Sequence, residues 1–428
     1  MPRKSYILPI LITLLLITAC QNKSNKEFTI WIGGAPQEID FWQKIVGRYN
    51  QISGNNAVLI RQPTYTDQRR QSLIVSLEAK QPNPDLFLMD VVWINQFAKS
   101  NWLEPLNKYI ERDNYSIDKF FERVINSVDK LERNIYALPI FLDVGLLYYR
   151  KDLLKKYGFA NPPQTWKQLI NLAKLVQRKE REINKDFYGF VWQGAQYEGL
   201  ICNFMEFIYS FGGSITNENK IQLITYANTS ALTFMHNLIY KYKISPLNTY
   251  TEMREEEVRR SFQNGNALFE RNWTYAWNQH QSSGSSVKGK VGIAELPHEE
   301  GSSSASALGG WHVGLSKYSD VKYEAWDFIK FITSYEIQKK LLLDIGWNPS
   351  RKDIYSDSVL LNQIPRLKIL YEAFNHSVPR PVIPYYTQVS EIMQRYINNC
   401  LANKITPEEA ISNMQTEIDK VTANYESH

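Results

Sequence analysis

The sequence predicts an α/β protein whose mostly parallel sheet is covered by helices on both faces. Three observations predict it: a strand-turn-helix unit at residues 28–49, a second run of alternating strands and helices that begins near Tyr136, and no internal repeat of roughly 20 to 50 residues of the kind that builds solenoids or propellers.

Phe28, Ile30 and Ile32 alternate as in a half-buried strand, Gly33-Gly34 breaks the pattern, and Ile39, Trp42, Ile45, Val46 and Tyr49 recur at helical spacing. Ala57 to Ile60 reads as a second strand, Gln68 to Ala79 as a helix, Asp85 to Met89 as an unbroken apolar strand, and Val92 to Lys99 as a helix. The second series opens with a strand through Tyr149. A helix follows from the N-cap residue Thr165, after Pro162-Pro163, to about Lys179, and then a strand from Tyr188 to Trp192. Helical patterns continue at Gly199 to Phe211 and Ser230 to Tyr242. Val291 to Leu296 and Trp311 to Leu315 read as strands separated by the loop Pro297 to Ala307, with helices at Tyr323 to Ile332 and Glu336 to Leu343. Pro365 to Tyr425 is mainly helical.

With 428 residues, 11 Trp, 26 Tyr and 19 Phe, the chain holds material for one large or two ordinary cores, which rules out disorder as its main state. At 43% hydrophobic and 22% charged residues it is no polytopic membrane protein. The net charge of +5, or +3 once the leader cations Arg3 and Lys4 are removed, argues against a nucleic-acid partner.

Arg3 and Lys4 precede the apolar stretch Ile7 to Ile17, which is shorter than the about 20 residues needed to cross a bilayer and so reads as a secretory signal. It ends in Ile17-Thr18-Ala19-Cys20, which resembles the bacterial lipobox. The Cys20 thiol would take diacylglycerol, and residues 1–19 would be removed. Several acyl chains then anchor durably, since each buried methylene contributes about 0.8 kcal/mol. Gln21 to Lys26 reads as a polar tether. Cys202 and Cys400 form no disulfide framework and are expected as two buried, unpaired thiols.

No phosphate-binding G-x-x-x-x-G-K-[ST], no G-x-S-x-G and no H-E-x-x-H occurs. The chain is therefore not itself a P-loop ATPase, metal catalysis has little support, and no metal and no cofactor are expected. Carboxylates, an arginine and tryptophans instead collect where strands hand over to loops, the edge at which open α/β sheets bind ligands. Glu38 follows Gly33-Gly34-Ala35-Pro36, Asp90 ends an apolar strand and precedes Trp93, and Asp143 interrupts a strand just before Val144-Gly145. Trp273 and Trp277 lie in Asn272 to Trp277, Trp311 follows Gly309-Gly310, and Arg380 sits in Val378-Pro379-Arg380-Pro381.

Sugars demand this mixture. A pyranose offers a C–H face to an indole and vicinal hydroxyls to a carboxylate or guanidinium. Other readings stand beside this one: each Trp can serve core packing, Asp90 can cap the next helix, and Arg380 can pair on the surface. Paired carboxylates and tryptophans also build glycosidase clefts, and a surface adhesin is a third class.

The sequence resembles the extracytoplasmic solute-binding proteins of ABC sugar importers, and within them the trehalose/maltose-binding proteins. The resemblance spans nearly all of the mature chain. It rests on Gly33-Gly34-Ala35-Pro36, Asp67-Gln68-Arg69-Arg70, Phe87-Leu88-Met89-Asp90, Gly145 to Leu154, Gly189 to Gly194, Tyr240 to Pro246, Phe269-Glu270-Arg271-Asn272-Trp273, Leu308-Gly309-Gly310-Trp311-His312 and Val378 to Pro381. It implies the two-lobed periplasmic-binding-protein fold of class II type, each lobe a mostly parallel sheet flanked by helices, with the sugar between them at a hinge. Lobe I would hold 27–132 and 305–345, and lobe II 133–304 and 346–428.

On matching positions, Glu38, Arg69, Asp90, Asp143 and Arg380 would grip hydroxyls, Trp277 and Trp311 would stack, and Gly309 and Gly310 would offer backbone amides. Phe141, Trp273 and Tyr197 are further candidates. Phe141 stands where such relatives carry a tyrosine, which shifts the expected sugar towards, for example, sucrose or glucosylglycerol. The implied protein is a periplasmic monomer. It is held to a membrane by lipidated Cys20, closes on a disaccharide or glucoside and docks on the transmembrane subunits of a permease.

Overall fold

The structure, a computed structural model, describes residues 26–34, 36–217 and 220–426. The leader, Cys20 and most of the tether lie outside the described residues. Among those described, no helix is long and apolar enough to cross a membrane.

The first strand, Glu27–Gly33, pairs in parallel with Asn56–Gln62 on one side and with Leu86–Asp90 on the other. Its inward residues Phe28, Ile30 and Ile32 are fully buried, as their alternation predicts. The helix Pro36–Ser53 between the first two strands begins on a proline, whose missing N–H costs nothing at a first helical turn, and buries Trp42 and Ile45 against that sheet. Helix Thr66–Glu78 precedes the third strand.

Two long strands then join this part of the molecule to the rest. The 14-residue strand Ala137–Arg150 is extended over roughly 46 Å at the usual rise. Its first half pairs antiparallel with Ser306–Leu315, and its second half pairs antiparallel with Ala267–Trp273 and Val291–Ala294. Ser306–Leu315 pairs in turn with Leu86–Asp90 through residues 311–315. Parallel pairing therefore flanks the sheet, in the order Asn56–Gln62, Glu27–Gly33, Leu86–Asp90 at one end and Ala267–Trp273 beside Tyr188–Val191 at the other, with antiparallel crossing strands between.

Separate hydrophobic cores lie at the two ends. Phe28, Trp42, Tyr49, Trp326 and Phe328 fill one, and Trp166, Phe190, Trp192, Phe204, Phe207 and Met393 the other. A third cluster, including Phe87, Val144, Tyr148 and Phe374, packs along the crossing strands. Thr165 caps helix Trp166–Glu180 with a reciprocal capping box: Gln168 N–H donates to Thr165 Oγ1 at 3.3 Å, and the Gln168 carboxamide oxygen accepts from Thr165 N–H. Cys202 and Cys400 are both buried and unpaired, and burial pushes each thiol up to about 12.

The structure extends several elements beyond their sequence patterns. Ser306 to Gly310, expected in part as loop, is strand. Leu341–Ile345 widens into a π-helical turn after helix Tyr335–Lys340. The buried strand Ala267–Trp273 carries Glu270, Arg271 and Asn272 in a row.

Candidate functional site

The crossing strands set the register of the site. Gly309 lies opposite Asp143, and Trp311 lies opposite Phe141 on one side and Asp90 on the other, with a bulge between Trp311 and His312. The extra residue is Ile140 on Ala137–Arg150, so it is that strand which bends beside Trp311 while Ser306–Leu315 keeps an unbroken register with Leu86–Asp90. Glycine is needed beside it. Gly310 has φ +139°, and a Cβ there would stand 2.5 Å from the Phe141 carbonyl oxygen.

Three donors converge on Asp143 Oδ1: the Val144 N–H at 3.0 Å, the Thr274 N–H at 2.9 Å and the Thr274 hydroxyl. Burial nevertheless pushes the carboxyl up to about 6, with the Thr274 and Val144 hydrogen bonds and the Arg271 charge working in the opposite direction. Thr274 itself is held by the Asn348 amide.

Trp311 is sandwiched by contacts of two kinds. The Arg69 guanidinium carbon lies 4.0 Å from its ring centroid, and Trp93 meets it edge-on at 5.5 Å. Arg69 donates to the carbonyls of Gly33 at 3.0 Å and Thr64 at 3.3 Å, and its Nε has no acceptor. Burial lowers its pKa against the opposing charges of Glu38 and Asp90.

Arg380 is 6% exposed and joins two carboxylates from distant parts of the chain. Nη2 donates to Asp90 Oδ1 at 3.3 Å and Nη1 to Glu198 Oε1 at 3.0 Å, while Nε is buried without an acceptor. Asp90 Oδ1 also accepts the Val92 N–H at 3.1 Å, a local turn contact rather than the cap of a long helix. Tyr386 and Ser390 hydroxyls donate to Glu198 and fix its place.

Trp273 lies against Gly309, where a Cβ would approach its ring to 3.2 Å, and rests on the Arg271 guanidinium at 4.2 Å. Arg271 in turn is locked to Glu206 in a fully buried bidentate pair, whose Oε1 also accepts the Ala307 N–H at 3.0 Å. Gly145 makes room for this pair, since a Cβ there would fall 2.0 Å from Glu206 Oε1.

The ring of Phe141 stacks on Trp347 with centroids 4.0 Å apart and planes 29° apart. Glu38 stands in the first turn of Pro36–Ser53 and borders, with Trp347, a cavity of about 820 Å³.

The expected residues Arg69, Asp90, Phe141, Asp143, Trp273, Gly309, Gly310, Trp311 and Arg380 thus form one connected set. Trp277 joins it through its backbone, donating its N–H to the Thr274 carbonyl at 3.2 Å, while the Arg366 guanidinium lies 5.3 Å from its ring and it is Trp273 that lies against Gly309. Tyr197 precedes helix Glu198–Ser210, lies 5.0 Å from the Arg254 guanidinium and has a buried hydroxyl without a partner.

Thr274, Trp347 and Glu198 were not among the expected residues. Thr274 is within the Asn272–Trp277 stretch already singled out, and Trp347 is flagged by its neighbours Gly346, Asn348 and Pro349. Glu198 carries no local signal, because its partner lies 182 positions away.

Residues 35–339 match the model of the family "Bacterial extracellular solute-binding protein". The chain belongs to that family. Among its relatives, a probable ABC transporter-binding protein of Deinococcus radiodurans is 33% identical over 390 residues, which is 90% of this chain and 91% of the relative. A maltotriose-binding protein of Pyrococcus abyssi is 25% identical over 407 residues, 91% of this chain and 83% of that one. The structure of maltose-bound T. maritima MalE3 superimposes with a TM-score of 0.83 at 38% identity, covering 92% of this chain and 99% of that chain. This solute-binding protein thus has the two-lobed α/β fold of the maltose-binding type. Its family supplies ABC importers with ligand, and nothing in the comparisons supports the hydrolase reading.

Proposed function

We propose that the chain captures a disaccharide or glucoside outside the cytoplasm by hinge closure and hands it to the transmembrane subunits of an ABC importer. The observation that carries this reading is the register of the crossing strands, which sets Asp143, Gly309, Trp311 and Asp90 side by side where the two ends of the molecule meet. In it, lobe I holds residues 27–132 and 305–345, and lobe II 133–304 and 346–428, with Ala137–Arg150 and Ser306–Leu315 as the crossing segments. Asp90, Asp143, Arg69, Arg380 and Glu38 take hydroxyls, Trp311, Trp273 and Trp277 offer ring faces, and Gly309 and Gly310 offer backbone groups. Hydrogen bonds to charged groups contribute roughly 1.5 to 3 kcal/mol each, so a few reach micromolar affinity after the cost of association. Cys20 serves as the lipid anchor. The chain does no chemistry.

Sugar drives closure only through its differential contact with the two states, so residues from both ends must touch it. The test is thermal unfolding of the purified chain against a panel of disaccharides and glucosides, followed by small-angle scattering with the sugar that stabilises most. Ligand should raise the midpoint according to RT ln(1 + [L]/Kd) and shrink the radius of gyration. A panel without any stabilising sugar rejects the binding role, and an unchanged radius at saturation rejects closure.

A further inference from the structure

Formal charge is spread unevenly over the chain. Residues 151–186 hold nine Lys and Arg against four Asp and Glu, so this segment alone carries +5, the same as the formal charge of all 428 residues. The rest of the molecule balances to zero.

The fold gathers that surplus onto one face. Helix Lys151–Lys156 lies beside helix Trp166–Glu180, joined to it by the Lys156 ammonium 2.7 Å from Glu180. The longer helix buries Trp166, Leu169, Leu172, Ala173 and Val176, which leaves Lys167, Lys174, Arg178 and Lys179 in solvent on its other side. Two further lysines adjoin it. Lys174 and Lys241 lie 4.9 and 5.8 Å from the Tyr242 ring, and the Gln177 amide donates to the Lys243 carbonyl at 2.8 Å. The acids facing this surface do not neutralise it. Asp152 is held by Arg150 and Glu180 by Lys156, Glu182 lies 3.6 Å from Lys179, Glu300 lies 3.6 Å from Lys167, and Asp186 is exposed. Lys155, Lys174, Arg178, Lys185, Lys241 and Lys243 have no carboxylate within salt-bridge distance among the described residues.

Two apolar side chains stand among these cations: Ile183 is 84% exposed and Leu175 36%. Cations interleaved with exposed apolar groups suit the interface of an anionic bilayer, where headgroups take the charges and the acyl boundary takes the apolar groups. A soluble polyanion has a use for the charges alone. The patch is also turned away from the ligand site. Arg181 Nε donates to the Phe187 carbonyl at 2.7 Å, just before strand Tyr188–Val191 begins, whereas Tyr197 and Glu198 follow that strand's other end. Ala267–Trp273 runs parallel beside it and ends at Trp273 of the site. A surface that covers the patch therefore need not cover the site.

We infer that the exposed face of helix Trp166–Glu180, with the turns of residues 181–186, is a docking surface for a membrane rich in anionic phospholipid. Each Lys or Arg close to such a surface contributes roughly fivefold in binding. The surface acts in addition to the anchor proposed at Cys20 and stands whether or not the chain binds sugar. With that anchor in place the bilayer is at high effective concentration, so a weak patch suffices.

Flotation of the purified, unlipidated chain starting at Cys20 tests this with vesicles of phosphatidylcholine alone or mixed equally with phosphatidylglycerol. Salt is set at about 0.1 M and about 1 M, between which the screening length falls from about 10 to about 3 Å. At the lower salt, binding to mixed vesicles is expected to be about tenfold or more tighter than to phosphatidylcholine alone, and to fall by at least about tenfold at the higher. Lys174→Gln, Arg178→Gln and Lys185→Gln together are expected to weaken it at least about tenfold. Lys80→Gln, Lys368→Gln and Lys420→Gln remove the same charge from exposed positions elsewhere and are expected to keep it within about threefold. Ile183→Ser is expected to weaken vesicle binding while leaving binding to soluble polyphosphate unchanged. Equal binding to the two kinds of vesicle, or an equal loss in the two triple variants, overturns the docking surface. Binding to polyphosphate with none to vesicles also overturns it, and assigns the patch to a soluble polyanion.

Discussion

Arg380 Nη2 donates to Asp90 Oδ1 at 3.3 Å while Nη1 of the same guanidinium donates to Glu198 Oε1 at 3.0 Å, so one buried cation holds two carboxylates from separate parts of the chain. Neither carboxylate has another cation within salt-bridge distance among the described residues. The arginine therefore serves the site as a fixed charge and the fold as a fastener.

Arg380→Ala should be costly twice. It takes from Asp90 and Glu198 the cation that joins them, and because these carboxylates are themselves partly exposed the loss is about 1.5 to 3 kcal/mol; it also removes a charged donor from the cleft. Urea titration should show a lower midpoint, and calorimetry a loss of at least about 100-fold in sugar affinity. Arg380→Lys, which cannot reach both carboxylates as a planar fork, should recover stability only partly. Wild-type stability in the alanine variant would contradict this account.

Asp143 predicts a pH dependence whose sign follows from its raised pKa of about 6. Below about pH 4 the group is protonated in both the folded and unfolded chain; between there and about pH 6 only the unfolded chain releases its proton, so folding stability falls as pH rises through that window. Asp143→Asn should flatten the dependence and, at pH 7, gain stability on the order of 2 kcal/mol. Sugar affinity runs the other way, because the ionised carboxylate is the better acceptor: it should weaken from pH 7 to pH 5 in the wild type and lose that slope in Asp143→Asn. Calorimetry across this range decides both points.

Gly145→Ala should unfold the protein at a much lower temperature than wild type. The new Cβ falls on Glu206 Oε1 and lies 2.6 Å from Arg271 Nη2, and this buried pair cannot move without losing its hydrogen bonds. A loss of about 2 to 4 kcal/mol is expected by differential scanning calorimetry.

Glu206→Gln tests how firmly Trp273 is supported. It leaves Arg271 charged and buried with weaker partners, so stability should drop by about 3 kcal/mol or more, and the tryptophan that rests on Arg271 should lose its fixed position. Quenching of tryptophan fluorescence by acrylamide should increase in the variant.

Much of this was legible in sequence because it rests on local rules. Alternating Phe28, Ile30 and Ile32, the Thr165 cap with Gln168, and the carboxylates at strand ends each report themselves within a few residues. What was not legible depends on partners remote in sequence. The strand Ala267–Trp273 does not read as a buried strand, since Glu270 and Arg271 belong there only because His280 lies 2.7 Å from Glu270 and Glu206 embraces Arg271. Ser306 to Gly310 lacks β-branched residues, and its first residues read as loop; it becomes strand because Ser377–Val378 pairs with Ser306 and Ala307 and Ala137–Arg150 pairs with Leu308 to Gly310. For the same reason Glu198 has no signal in its own neighbourhood.

Phe141, Asp143, Gly309 and Trp311 are all carried on the two backbone segments that tie one half of the molecule to the other. Under the proposed function, ligand preference and mechanical compliance are accordingly carried by the same two segments of polypeptide. A substitution there that retunes one resets the other, so new tastes are more cheaply acquired at the rim, on helix-borne residues such as Asn278 and Gln279, than along the connecting ribbons.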